Sequence, residues 1–168
     1  MWLGSVVLVS LWLSSATAQS QADLLLRGGL VHNGSGQDPI EQDVAITGDR
    51  ISFVGHASAD GIQAATVIDV EGLMVTPGFI DMHSHAVLTE DYGRDAFPFL
   101  YQGITTVAIG VDGSGTPDVA SLFASLEGRI GANVFTYVGH GAVRERVIGL
   151  EDREPTPGEL DRMRALVR

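Results

Sequence analysis

Apolar residues along this chain come in short runs, and the way polar residues separate them changes near Val75. Before that point the runs are strand-length and are divided by turn residues. Asp23-Leu24-Leu25-Leu26-Arg27 leads into Gly28-Gly29, then Leu30-Val31, then the turn-rich Asn33-Gly34-Ser35-Gly36. Asp43 to Thr47 and Ile51 to Val54 flank Gly48-Asp49-Arg50, a spacing that predicts a β-hairpin with glycine supplying the positive φ. Thr66 to Val70 and Leu73 to Val75 add further strand, broken at Glu71-Gly72. Residues 19–75 therefore predict a small all-β unit, too small to be more than marginal unless it packs on something larger.

After Thr76-Pro77-Gly78 the runs alternate with helical patterns. Phe79 to His85 reads as a strand and Asp95 to Tyr101 as a short helix around Pro98. Ile104 to Asp112 reads as strand, Thr116 to Ile130 as helix, Asn133 to His140 as strand, and Thr156 to the end as helix. Such alternation predicts parallel strands joined by crossovers over residues 76–168. Thr116-Pro117 and Thr156-Pro157 each place a hydroxyl cap before a proline at the first helical position. Thr156 and Glu159 add a capping box. Leu160, Met163 and Val167 then form an apolar stripe that needs a partner, and the chain stops at Arg168 within that pattern.

Residues 1–18 differ from both regions. The run Leu3 to Leu13 carries only glycine and serine as interruptions and is followed by Ala16-Thr17-Ala18. That layout predicts a secretory signal peptide cut before Gln19, although its start lacks lysine and arginine; a buried strand or helix is the competing reading. The run is shorter than the roughly 20 apolar residues that span a bilayer, so no membrane association is expected after cleavage. The expected location is secreted or periplasmic.

Composition narrows the function classes. The 168 residues carry a formal net charge of −11, ten basic residues that are all arginine, and no cysteine. Phosphate binding needs clustered positive charge, so nucleic acid is not an expected partner.

The sharpest chemical signal is Phe79-Ile80-Asp81-Met82-His83-Ser84-His85. Side chains alternate across a strand, which puts His83 and His85 on one face with Asp81 beside them. Two imidazoles at a strand end suit a divalent metal such as Zn2+; the alternative is a chance pair on a wet strand end. In the next strand the β-branched Thr105, Val107, Ile109 and Val111 should lie under helices, leaving Ile104, Thr106, Ala108, Gly110 and Asp112 on the opposite face. Asp112 then sits at the strand's C-terminal end near the histidines, as a metal ligand or as a turn residue before Gly113. His140, at the end of the third strand, could bind metal, substrate or only a carbonyl. Arg144 could clamp a substrate carboxylate or be one of many surface arginines. His32 and His56 read as surface residues. Gly113-Ser114-Gly115 lacks the lysine of a phosphate loop, and Ser114 lacks the partners of a nucleophile.

The segments "LLLRGGLVHNGSG", "DVAITGDRISFVG", "VIDVEGLMVTPGFIDMHSH", "QGITTVAIGVDGSG", "NVFTYVGHGAVRERVIG" and "PTPGELDRMRALV" cover nearly all of Ala22 to Val167. Together they resemble the amidohydrolase superfamily and, within it, the N-acyl-D-amino-acid deacylase (D-aminoacylase) family. The resemblance implies an α/β fold: an N-terminal β-sandwich portion, then the first three βα units of an incomplete metal-dependent (β/α)8 TIM barrel. It implies that His83 and His85 bind metal, most naturally Zn2+, and that the small-molecule substrate is an N-acyl-D-amino acid. Such enzymes often carry a cysteine ligand in an N-C-G sequence; here Val111-Asp112-Gly113 puts a carboxylate at that place, and oxygen can replace sulfur on zinc. Substrate binding is expected at Arg144 and His140. The family's remaining metal histidines and its catalytic aspartate belong to later barrel strands, so no catalytic residue is assigned here, and the 168-residue chain alone is expected not to turn over N-acetyl-D-amino acids. The alternatives are another amidase of the superfamily, dihydropyrimidinase-like, or a truncated, non-catalytic product.

Overall fold

The computed structural model describes residues 21–168, so the signal peptide expected over residues 1–18 lies outside the described residues. The chain divides into two compact units, the first ending at Pro77 and the second beginning at Gly78.

In the first unit, Gln21–Val31 forms one continuous strand, β1, where the sequence predicts two runs parted by glycines. The glycine pair bends the strand without ending it. Gly28 takes φ +73°, and the register with the neighbouring strand shifts between Leu26 and Gly29, the signature of a β-bulge. Ile40–Thr47 (β2) and Arg50–Gly55 (β3) make the predicted hairpin, with Gly48 at φ +59°. Asp23 Oδ2 closes that turn by accepting the Gly48 N–H at 2.7 Å. Gln63–Asp69 (β4) and Met74–Val75 (β5) run parallel to β1, β4 along its first half and β5 along its end. The result is one mixed sheet of order β3-β2-β1-β4, with β5 beside β1. The described residues of this unit supply one layer; a sandwich would need a second. Its core is built from three alanines, Ala22, Ala45 and Ala57, around Leu25, with Phe53, Ile62 and Ala64 packed against them.

Asp43, in β2, explains how the irregular parts of this sheet are held. One carboxylate oxygen accepts the Gly28 N–H at the bulge and the other the Ala57 N–H after β3, each at 2.8 Å. Both donors lack ladder partners there, and a buried amide left unpaired costs about 1–3 kcal/mol.

The second unit alternates strand and helix. Phe79–Asp81 (β6), Ile104–Ile109 (β7) and Asn133–Thr136 (β8) form a parallel sheet in that order. Phe97–Leu100 (α1) precedes β7, Val119–Leu126 (α2) precedes β8, and His140–Ile148 (α3) and Pro157–Ala165 (α4) follow. Val107 of β7 is fully buried with Leu88, Ala96, Leu126 and Ala132, and Ile109, Leu122 and Val134 pack around them. That arrangement places the Val107 side of β7 under α2, as the β-branched pattern predicts. Among the described residues, no helix is long and apolar enough to cross a membrane.

The structure departs from expectation in three ways: in where the strands of this unit end, in where α2 begins, and in the presence of α3. All three strands of this unit end early: β6 at Asp81, β7 at Ile109 and β8 at Thr136. After β7 the backbone enters left-handed conformations at Gly110 (φ +75°), Asp112 (φ +55°) and Gly113 (φ +82°), which no strand can continue through. The helix predicted from Thr116 begins at Val119, because Asp118 caps it by accepting the Ser121 N–H at 3.2 Å. Thr116 Oγ1 instead accepts the Asp118 N–H. The helix α3 was not expected at all: His140, read as a strand end, is its first residue. By contrast α4 begins at Pro157 as predicted, with both halves of the Thr156–Glu159 capping box in place. Met163 of its apolar stripe is buried, whereas Val167 remains exposed.

Candidate metal centre

The site lies past the C-terminal ends of β6 and β7. Because β6 stops at Asp81, His83 and His85 are carried by irregular backbone and not by strand alternation. Ser84, between them, turns inward: it is 3% exposed, and its N–H donates to Ala108 O in β7 at 2.9 Å. Burying the middle residue throws its two neighbours outward on the same side. Their Nε2 atoms converge on one oxygen, with His83 3.4 Å and His85 3.0 Å from Asp112 Oδ2. The imidazole centroids are 5.7 Å apart and tilted by 56°, so the rings fan around that oxygen without stacking.

Asp112 reaches this position through its left-handed backbone. A non-glycine residue there costs energy, less for aspartate than for most side chains. Close packing behind it leaves the loop little freedom. The Gly115 N–H donates to Gly110 O, Gly139 N–H to Gly115 O, and Ala142 N–H to Gly113 O. A Cβ added at Gly115 would collide with Tyr137 O, and one added at Gly139 with Gly113 O. The backbone after β7 thus interlocks with the start of α3, and Asp112 is presented on a glycine-packed shelf.

One ligand atom from each of His83, His85 and Asp112 lies within 4.8 Å of the others, as a shared metal ion requires. The side chains are 64%, 72% and 61% exposed, so the group is open to solvent. A cleft of about 370 Å³ adjoins it, lined by His83, Asp112, Tyr137 and His140 together with backbone of Gly110 to Gly113.

No protein-family model matches the chain. Relatives nonetheless cover most of it. The N-acyl-D-aspartate deacylase of Alcaligenes xylosoxydans xylosoxydans is 32% identical over 175 residues, 89% of this chain and 34% of that protein. The crystal structure of the N-acyl-D-glutamate deacylase of Bordetella bronchiseptica, complexed with zinc and a phosphonate inhibitor, superposes with a TM-score of 0.79 at 28% identity, over 88% of this chain and 35% of that one. A D-aminoacylase whose binuclear metal centre has been characterised matches at 34% identity and a TM-score of 0.69, over 87% of this chain and 35% of that one. The chain belongs to the D-aminoacylase family of the amidohydrolase superfamily. It spans about a third of the length of each of these three relatives.

In this D-aminoacylase-family chain the structure brings three of the five expected site residues together and distributes the other two. His140 shares the cleft wall with His83 and Asp112 but stands outside the three-ligand cluster. Arg144 lies in a separate depression beside Gly149 to Asp152, where its Nη2 donates to Glu151 O and Arg153 O at 2.7 and 2.8 Å. That contact ties down the loop between α3 and α4. His56 is exposed and His32 half-buried, both in the first unit. Tyr137 on the cleft wall carried no sequence signal, since an aromatic residue ending an apolar run reads as strand. The helix α3 had one overlooked marker, Gly149 at φ +69° just past its end.

Proposed function

We propose that this chain supplies the opening part of a divalent-metal site in an amidohydrolase that cleaves the amide bond of N-acyl-D-amino acids. The observation that carries the reading is the convergence of two imidazole Nε2 atoms on a single Asp112 oxygen within metal-sharing distance. Two neutral imidazoles and one carboxylate fit Zn2+ and similar borderline ions in donor type and charge. His83, His85 and Asp112 would hold the ion. The ion would polarise a scissile carbonyl and make a nucleophile available at neutral pH. The exposed cleft beside the cluster leaves room for a small molecule, and His140 on its wall is placed to meet one. Arg144 keeps Nε and Nη1 as the donors it could offer a substrate carboxylate, its Nη2 being engaged with Glu151 and Arg153.

The same proposal reads the second unit as the first three βα units of a (β/α)8 barrel and the first as a β-sandwich portion. The parallel order β6-β7-β8 supports it, as does the position of the ligands beyond the C-terminal strand ends, where barrel enzymes place their chemistry. Titrating the 168-residue chain with Co2+ tests the metal site through its visible absorption and binding heat. One ion per chain is expected, with a signal lost in the His83→Ala/His85→Ala variant. Equal Co2+ binding by that variant would sink the proposal.

A further inference from the structure

The segment carrying the two imidazoles is held from three directions. Ser84 pins it to β7 through Ala108 O, and its hydroxyl accepts the Ala86 N–H at 3.2 Å. Tyr137, just past β8, donates its hydroxyl to Met82 O at 3.4 Å. Asp81, the last residue of β6, accepts the His83 N–H through Oδ1 at 3.1 Å.

The three anchors act differently. Those from Ser84 and Tyr137 fix where the segment lies against its neighbours. The bond from Asp81 fixes the direction of the peptide immediately before His83. A short side-chain acceptor two residues back competes with the strand ladder for that N–H and turns the chain out of the sheet. Without it the Ser84 and Tyr137 anchors still hold the segment in place, but the His83 amide loses its acceptor and the direction of the His83 ring toward Asp112 Oδ2 is no longer set.

We infer that Asp81 is a positioning residue of the metal centre: by drawing the His83 amide out of the strand ladder it sets the direction from which that imidazole approaches the ion. The inference rests on reading His83, His85 and Asp112 as a metal site, but it concerns a side chain outside the ligand set. Groups that orient metal ligands at one remove typically change affinity 10–100-fold when lost.

The test compares the full 168-residue chain with Asp81→Ala and Asp81→Asn, measuring Co2+ affinity, the visible absorption band and the melting of the metal-free protein. Asp81→Ala is expected to bind Co2+ about tenfold more weakly with a shifted band, while metal-free melting stays close to that of the parent. Asp81→Asn keeps an oxygen acceptor at the same place and is expected to restore most of the affinity and the parent band. Parent-like binding by Asp81→Ala overturns the inference. So does an Asp81→Asn variant as weak as Asp81→Ala, which would assign the effect to charge or to folding. Failure of the metal-site reading shows up separately, as a parent chain whose Co2+ signal ignores the loss of His83 and His85, and it takes this inference with it.

Discussion

Asp43 in the first unit and Asp112 in the second are both aspartates at irregular backbone, and they are used in opposite ways. Asp43 is half-buried, and each of its oxygens receives a backbone N–H, one from the β1 bulge and one from the residue after β3. Asp112 is exposed, sits in a left-handed conformation that favours glycine, and turns one oxygen toward two imidazoles. The first carboxylate completes hydrogen bonds that the fold leaves open. The second takes a strained position and faces outward. Asp43 turns both oxygens inward onto backbone amides, whereas Asp112, held by glycine packing behind it, turns an oxygen outward where a ligand can reach it.

The contrast can be broken or sharpened by substitution. Asp43→Ala leaves two amides without partners and is expected to destabilise the chain by about 2–3 kcal/mol, read by denaturant unfolding, while Co2+ affinity per folded molecule stays unchanged. Asp112→Gly should do the reverse. Relief of the left-handed strain is expected to raise stability by about 0.5–1 kcal/mol, while Co2+ affinity falls at least about tenfold. A loss of stability in that variant would show Asp112 to be structural after all. The smallest expected effect concerns Glu159, a second carboxylate bound into the fold. The Arg153 guanidinium, then the Thr156 amide and hydroxyl, hold its carboxyl far below the usual carboxylate range. A depressed folded-state pKa contributes stability above the ordinary glutamate range, and that contribution drains away as pH falls below it. Glu159→Gln should therefore flatten the acid side of the stability profile, below about pH 4.5, with no effect on metal binding.

Much of this could be read from the chain because it depends on neighbours in sequence. The Gly48 hairpin and the Thr156–Glu159 capping box are local devices, and both stand as predicted. Two Thr-Pro dipeptides nevertheless ended differently. The position three beyond Thr156 is Glu159, which closes a capping box; the position three beyond Thr116 is Val119, and Asp118 supplies a better acceptor. The histidine pair was visible as a motif, but the reason it converges was not. Strand alternation stops at Asp81, and the convergence depends on Ser84 turning in toward Ala108, a contact between residues 24 apart in sequence. The helix α3 escaped for a similar reason. It carries a glycine in its first turn and little apolar periodicity, and its start is fixed by bonds from Gly139 and Ala142 to the loop after β7.

The interlocked glycines behind Asp112 have a practical consequence for anyone who would retune this centre. Randomising Gly110, Gly115 and Gly139 in a variant library should return almost nothing but the parent residue, because any side chain there strikes backbone. Diversity is better aimed at the proposed ligand positions His83, His85 and Asp112, whose side chains face solvent and not backbone.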